Sequence, residues 1–218
     1  KNLIFVNDFD GNFLSINNKN GDILFNVFLG SDYNSIYTTA RPIVAKNKII
    51  VPGTGGTFFV LSIDTGEVLW NENISSNHQL PKLFHTGDII ANPLYYQGVL
   101  YVVSQSGFTA AFDIDNFEEL WNIPVGGFNT PVISGKTIFI LGNMGHLAAI
   151  DINSGKLRWE KKFSSYLNKN SFFSEEEIAI YKGPSLLDSK IFISGPKGII
   201  RIIDANNGSE IDTLKVDK

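Results

Sequence analysis

Several kinds of chemistry are excluded by what this chain of 218 residues lacks. It contains no cysteine, which excludes disulfide bonds, thiolate catalysis and cysteine-ligated metals. Its three histidines, His78, His85 and His146, have no spacing that would form a metal triad. The 18 Lys and Arg are scattered, so no basic patch for nucleic acid is expected. No apolar run approaches the ~18 residues of a membrane helix. We therefore expect neither a catalytic site nor a bound cofactor.

What the sequence does contain is an internal repeat of five copies, and such a repeat determines the architecture. Each copy has a turn position, and a glycine lies ten residues before it. The turn positions are Gly21, Gly66, Phe117, Gly155 and Gly208. The earlier glycines are Gly11, Gly56, Gly107, Gly145 and Gly198. In the last four copies a proline lies 24 residues before the turn, at Pro42, Pro93, Pro131 and Pro184. The copies therefore align without a gap, and length varies only between them.

Each copy has the composition of four short β-strands. The second strand, for example LYVV at 100–103, is rich in β-branched and aromatic residues and is bounded by Gly, Asn or Asp. The glycine column is expected to supply a turn residue with positive φ between the second and third strands. Asp113, Asp151 and Asp204 are expected to close the turn into the fourth strand through side-chain-to-backbone hydrogen bonds. The pattern predicts an all-β fold, a β-propeller of four-stranded antiparallel blades.

The whole chain, 1–218, is predicted to form a single propeller region of about five blades. The blades are expected at approximately 1–30, 41–75, 92–126, 130–164 and 183–218. The first copy has no opening strand, because its proline column would fall before residue 1. A ring needs its first and last strands to pair, so we expect part of a seven- or eight-bladed ring. The alternative is an unusual five-bladed ring that lacks one strand.

The end of the repeat resembles the tryptophan-docking motif of the pyrroloquinoline-quinone (PQQ) repeat proteins. The matching residues are Asp151, Ser154, Gly155 and Trp159 in one copy, and Thr65, Gly66 and Trp70 in another. The three tryptophans are expected to be structural rings wedged between blades. The resemblance to the alcohol dehydrogenases of this group would imply PQQ held near a vicinal cysteine pair and a calcium ion. This chain has no cysteine, and residues other than glycine follow its tryptophans: Asn71, Asn122 and Glu160.

Four ordered segments carry a closer resemblance. They are VLWNENIS (68–75), a loop that ends in TGDIIANP (86–93), the blade PLYYQGVLYVVSQSGFTAAFDI (93–114) and PVISGKTIFILGNMGHLAAIDINSGKLRW (131–159). In this order they resemble the BamB family, the lipoprotein propellers of the outer-membrane β-barrel assembly machine. The resemblance implies a non-enzymatic subunit in the periplasm of a Gram-negative bacterium that binds the periplasmic domains of BamA through inter-blade loops. Any membrane attachment would be a lipid anchor outside this chain.

Two loops before successive inner strands, 34–41 and 76–92, are the candidate partner-binding segments. Family members often carry an Arg where this chain has Tyr37, and two acidic residues of which only Asp88 matches here. The candidate residues are Tyr37, Arg41, Leu83, Phe84, His85 and Asp88. We expect Tyr37 and Phe84 to be apolar anchors, and Arg41 and Asp88 to fix orientation through charge-assisted hydrogen bonds. The alternative is that both loops pack on their own blades.

Two other functions are kept as alternatives: a PQQ- or sugar-binding enzyme with its site in further blades, and an interaction module of another envelope pathway. The apolar loop 160–182 either caps the propeller face or presents anchors to a partner. GTGG at 53–56 lies between two strands and is interpreted as the hairpin of the repeat rather than a phosphate loop.

Overall fold

The computed structural model describes residues 2–8, 10–30, 40–74, 88–143, 145–163 and 179–216. Its strands form one three-stranded and four four-stranded antiparallel sheets, each built from consecutive strands. Blade 1 consists of β1 (Leu3–Asn7), β2 (Asn12–Asn17) and β3 (Ile23–Phe28). Blade 2 consists of β4 (Ile43–Ala45), β5 (Lys48–Pro52), β6 (Thr57–Ser62) and β7 (Val68–Asn73). Blade 3 consists of β8 (Leu94–Tyr96), β9 (Val99–Val103), β10 (Thr109–Asp113) and β11 (Glu119–Ile123).

The remaining two blades follow the same plan. Blade 4 consists of β12 (Val132–Ser134), β13 (Thr137–Leu141), β14 (His146–Asp151) and β15 (Leu157–Lys162). Blade 5 consists of β16 (Lys182–Leu187), β17 (Lys190–Ser194), β18 (Ile199–Asp204) and β19 (Glu210–Lys215), with a 3-10 turn at Pro196–Gly198. The predicted all-β propeller of antiparallel blades is confirmed. Blade 1 lacks an opening strand, as its missing proline column predicts, and among the described strands none of blade 5 pairs with blade 1.

The turns of the repeat have the geometry that the sequence predicts. The glycines of the column between the second and third strands all have positive φ, from 70° to 105°. Asp113, Asp151 and Asp204 each accept a hydrogen bond at Oδ1 from the backbone N–H two residues further on, at 2.8, 3.1 and 2.7 Å. The proline column is only partly as expected. Three prolines directly precede an inner strand, but Pro184 lies inside β16, where the strand register shifts.

The core of the molecule lies between blades, because alternate residues of a strand face opposite neighbours. Ile50 of β5 packs towards blade 3 with Leu100 and Val102, whereas Ile49 packs towards blade 1 with Phe13. Two further clusters join blade 3 to blade 4 and blade 4 to blade 5 in the same way. Each blade is therefore stabilised mainly by the apolar surface that it buries against the next.

An aromatic ring from the fourth strand of each of the first four blades lies on the turn position of the next blade. A Cβ atom placed on Gly66 would lie 2.5 Å from the ring of Phe25. A Cβ atom on Gly155 would lie 2.9 Å from the ring of Trp121, and one on Gly208 would lie 2.6 Å from the ring of Trp159. Two of the indoles also donate from Nε1 to the carbonyl three residues before the turn position, Trp121 to Ile152 at 2.8 Å and Trp159 to Ala205 at 3.1 Å.

The turn of blade 3 is the exception, since Phe117 stands where the other turns have glycine. Phe117 adopts φ 64°, and its ring stacks on Trp70 with centroids 5.0 Å apart. Lys48 lies over the Phe117 ring at 5.8 Å from its centroid, which is cation–π distance. The Nζ of Lys46 pairs with Asp115 of the same turn at 2.5 Å. In this turn, stacking between Phe117 and Trp70 and the ion pair between Lys46 and Asp115 therefore stabilise the contact between blades 2 and 3.

Two carboxylates on these turns, Asp115 and Asp151, form ion pairs within the chain. Hydrogen bonding by Arg158, whose Nη2 lies 2.5 Å from Oδ2, and by Ser154 lowers the pKa of the Asp151 carboxyl to about 2. The hydrogen bond from Lys46 likewise lowers the pKa of Asp115 and is the main cause of a raised pKa at Lys46 itself. Lys46 and Arg158 of the same chain therefore neutralise these two carboxylates, which lie in the turns before the fourth strands.

A pair of glycine substitutions separates ring docking from backbone strain. Gly155 and Gly21 have similar positive φ angles, 66° and 79°, so Ala should cost about 1–2 kcal/mol of strain at either. Only Gly155 lies under a ring; a Cβ on Gly21 meets nothing within 4 Å. Gly155→Ala should therefore lower the free energy of unfolding by about 1–3 kcal/mol more than Gly21→Ala, because Trp121 must move. Urea denaturation measures both, and equal losses would contradict the docking.

Candidate partner-binding face

The inter-blade connections lie on the same side of the propeller as the hairpins between second and third strands. In an antiparallel blade the first strand begins where the second strand ends, so a connection that enters a blade arrives beside that hairpin. We call this side the loop face. Its hairpins include 53–57, 104–108 and 195–198, together with the described residues of the hairpins at 8–11 and 142–146. The described ends of its inter-blade loops include 40–42, 88–93 and 124–131.

Asp88 joins two blades at the loop face. Its side chain is fully buried, and Oδ1 accepts a hydrogen bond from the backbone N–H of Gly55 in the blade 2 hairpin at 2.8 Å. Its carbonyl accepts from the backbone N–H of Gln105 in the blade 3 hairpin at 3.0 Å. The second carboxylate oxygen, Oδ2, is buried without a hydrogen-bond partner. Asp88 therefore fixes the end of the 75–87 connection to both hairpins.

The next connection crosses its hairpin in an equivalent way. The carbonyl of Gly126 accepts from the backbone N–H of Asn143 at 3.3 Å, as the carbonyl of Asp88 does from Gln105. A side chain at Gly126 would collide with the backbone of Ser104, which explains glycine there. The Nδ2 of Asn143 donates to the carbonyl of Gln105 at 2.9 Å and so links the hairpins of blades 3 and 4.

A second series of bonds connects the residues directly before the inner strands. The backbone N–H of Arg41 donates to Oδ1 of Asn92 at 2.7 Å, and the backbone N–H of Asn92 donates to Oγ1 of Thr130 at 3.2 Å. Each of these hydrogen bonds joins the start of one blade to the start of the next. Arg41 is exposed, so its backbone is fixed while its guanidinium faces solvent.

The structure describes two of the six predicted partner-binding residues. Arg41 is exposed at the start of blade 2. The carboxylate of Asp88 is buried and accepts a hydrogen bond from a backbone amide of its own chain. Tyr37, Leu83, Phe84 and His85 lie outside the described residues. The role of all six in partner binding stays a prediction.

The sequence did not single out Asn92, Thr130, Gln105 or Asn143. Their positions in the repeat could have indicated them, since two directly precede the proline column and two lie two residues before the glycine column. Polar side chains at equivalent positions of successive copies are a pattern typical of bonds from blade to blade.

Other candidate sites have structural explanations where they are described. GTGG at 53–56 is a hairpin, as predicted, with Gly53 donating to Thr57 at 2.8 Å, and the amide of Gly55 is taken by Asp88. Nδ1 of His146 lies 2.7 Å from Glu160. Within the described residues no three His, Cys, Asp or Glu side chains are grouped to hold a metal ion. Most of the acidic and apolar loop 160–182 lies outside the described residues, and no described helix could cross a membrane.

Two substitutions of Asp88 separate its hydrogen bond from its charge. Asp88→Ala should lower the free energy of unfolding by about 1–3 kcal/mol, because the partly buried amide of Gly55 loses its acceptor. Asp88→Asn keeps an acceptor oxygen and should cost distinctly less. Chemical denaturation of the three proteins measures the difference. A loss with Asp88→Asn as large as with Asp88→Ala would show that the negative charge, not the acceptor, is what the site requires.

Comparison with known proteins identifies the family. The family model described as outer membrane protein assembly factor BamB matches residues 1–161 and 130–213. Among curated relatives, the outer membrane protein assembly factor BamB of Moranella endobia is 21% identical over 214 residues, which cover 98% of this chain and 52% of that protein. The chain thus spans about half the length of this relative.

Solved structures show which fold the chain shares. BamB from Moraxella catarrhalis superposes with a TM-score of 0.79 at 16% identity, over 99% of this chain and 62% of that one. The quinohemoprotein alcohol dehydrogenase from Comamonas testosteroni superposes with a TM-score of 0.73 at 13% identity, over 100% of this chain and 42% of that one. The fold is therefore common to an assembly factor and an enzyme, whereas the family model covers nearly the whole sequence. On that match, the chain belongs to the BamB family of outer membrane protein assembly factors.

Proposed function

We propose that this protein is a non-enzymatic scaffold subunit of the outer-membrane β-barrel assembly machinery. It would act in the periplasm at the outer membrane, held there by a lipid anchor outside this chain, and bind the periplasmic domains of BamA through its inter-blade loops. The observation that carries the proposal is the family match over residues 1–161 and 130–213, because the fold alone is also that of a dehydrogenase.

The construction of the loop face supports a docking role. Two connections are tied to the hairpins beneath them by Asp88 and by Gly126, so their ends are placed before any partner arrives. Loops held in this way lose less conformational entropy on binding than free loops do. Preorganised loops on a rigid sheet scaffold are a common basis for recognition.

Unused hydrogen-bond capacity also supports a protein partner at this face. Among the described residues of the loop face, three buried acceptor oxygens have no hydrogen-bond partner: Oδ2 of Asp88, Oε1 of Gln105 and Oδ1 of Asn143. A buried acceptor without a donor costs free energy. In the complex that we propose, N–H groups or bound water at the interface supply the missing bonds. Arg41, which is exposed on the same face, provides a charge that can be paired across the interface.

The binding test compares cations on opposite sides of the propeller. Arg41 and Lys136 are both exposed, but Lys136 follows β12 on the side away from the loop face. Arg41→Ala, and Tyr37→Ala in the adjacent loop, should each raise the Kd for the periplasmic domains of the cognate BamA about tenfold, as interface anchors do. Lys136→Ala should leave the Kd unchanged. Biolayer interferometry measures all three, with thermal unfolding as the control for folding.

The proposal fails in either of two ways. If the wild-type chain does not bind the BamA domains, docking by this chain is wrong. If the folded double variant Arg41→Ala, Tyr37→Ala binds as the wild type does, these loops are not the interface, and the loop 160–182 becomes the segment to examine.

A second candidate function is a PQQ-dependent or other ligand-binding propeller, favoured by the likeness to the alcohol dehydrogenase. PQQ with calcium at about a hundred times a plausible Kd would raise the stability of a binding protein by about 2.7 kcal/mol. We expect no change in unfolding temperature or PQQ absorbance. A saturable thermal shift would favour the ligand-binding function instead.

A further inference from the structure

Phe28 is the most exposed large apolar side chain among the described residues, at 66%. It ends β3, the outer strand of blade 1, on the face of the sheet that points away from blade 2. Ile4 and Val6 share that face and are 45% and 37% exposed. An aromatic ring in this position is exposed to water, and burying it against a partner would be favourable.

The exposure of Ile4 and Val6 has an explanation in the repeat that does not extend to Phe28. Their equivalents in blade 2, Ile49 and Val51, are 0% and 1% exposed because the preceding blade covers them. A preceding blade would cover Ile4 and Val6 in the same way. The positions equivalent to Phe28 in the later blades are not covered: Pro124, Lys162 and Lys215 are exposed and Asn73 is half-buried. The position of Phe28 therefore lies outside the contact between blades.

Phe28 is also the only aromatic residue at this position of the five copies, which otherwise have Asn, Pro, Lys and Lys. A polar or charged residue is the ordinary choice for an exposed outer strand. Neither the fold nor the contact between blades therefore requires the ring of Phe28.

Two carboxylates, Asp8 and Asp10, lie in the hairpin that leads to the cross-strand partner of Phe28. Phe28 is the cross-strand partner of Asn12, whose side chain lies on the same face. The Nδ2 of Asn12 donates to Asp8 at 2.9 Å, and its backbone N–H donates to the same carboxyl at 2.8 Å. These bonds, the side-chain bond first, lower the pKa of Asp8, so the group is ionised at neutral pH. In the described part of the chain neither Asp8 nor the exposed Asp10 has a cation within ion-pair distance.

We propose that Phe28, with Asp8 and Asp10, forms a docking surface for a polypeptide segment that carries a Lys or Arg beside an apolar side chain. The apolar side chain packs on the Phe28 ring and the cation pairs with the carboxylates, an arrangement that satisfies both features of the patch. The negative charge disfavours an anionic lipid surface as the occupant. The surface lies at the loop-face edge of blade 1, where the hairpin between β1 and β2 meets the end of β3. It shares no residue with the segments proposed to bind BamA, so its failure and the failure of the proposed function are separate results.

The test places a fluorine reporter on the patch. The protein is prepared with 4-fluorophenylalanine at position 28 and, as a control, with the same residue replacing Leu120, an exposed leucine on the outer strand of blade 3. Two synthetic peptides are titrated, one in which Lys alternates with Val and one with Glu in place of each Lys. Fluorine NMR follows the resonance of the reporter, and circular dichroism confirms that each protein is folded.

We expect a saturable shift at position 28 with the Lys peptide and none with the Glu peptide or at position 120. Asp8→Asn keeps a side-chain acceptor for Asn12 and should weaken binding about two- to fivefold, and about 0.5 M NaCl should weaken it too, because exposed charge pairs are modest and screened.

Three results would overturn the proposal. They are no saturable shift with the Lys peptide, equal shifts with both peptides, and equal shifts at positions 28 and 120. A shift that depends on protein concentration without any peptide would also overturn it and would identify a second copy of this chain as the occupant.

Discussion

The contact of an aromatic ring with the turn of the next blade is the interaction on which the other features of this molecule depend. A single blade is a small sheet with two apolar faces, and it has no core of its own. Phe25, Trp70, Trp121 and Trp159 connect successive blades at the outer strands, where the sheets would otherwise separate. The indoles of Trp121 and Trp159 add a hydrogen bond, which fixes the angle as well as the distance.

The regular placement of the blades determines the arrangement of the hairpins on the loop face. Because each blade is placed on the next, the hairpins of successive blades lie side by side, and single side chains can join them. Asp88 joins blade 3 to blade 2, and Asn143 joins blade 4 to blade 3. Asp88 and Gly126, in the connections that enter blades 3 and 4, are hydrogen-bonded to these hairpins. In the function that we propose, these bonds place the described ends of the connections for a partner.

The repeat made the architecture predictable, and the reasons are local. The glycine found ten residues before each turn position predicted a positive φ angle in all five copies, which is confirmed. The aspartates before the fourth strands predicted side-chain-to-backbone hydrogen bonds in those turns, which are also confirmed. The role of Asp88 was not predictable, because its acceptor contact with Gly55 joins residues 33 apart in different blades. The exposure of Phe28 was not predictable either. The residue at this position of the repeat varies between copies, so an aromatic residue there becomes informative only when its exposed fraction is known. Pro184 fits its column in sequence but not in structure, because a register shift in β16 moves the strand start.

The most direct test of the account is the cost of removing one docked ring. Trp121 is 7% exposed and donates to Ile152 of the next blade, whereas its neighbour Leu120 points outwards at 46% exposed. Trp121→Ala should lower the free energy of unfolding by about 3–5 kcal/mol. Leu120→Ala should change it by less than about 0.5 kcal/mol. Urea denaturation of the wild type and the two variants measures both. A loss below about 1 kcal/mol for Trp121→Ala would contradict the central role of ring docking.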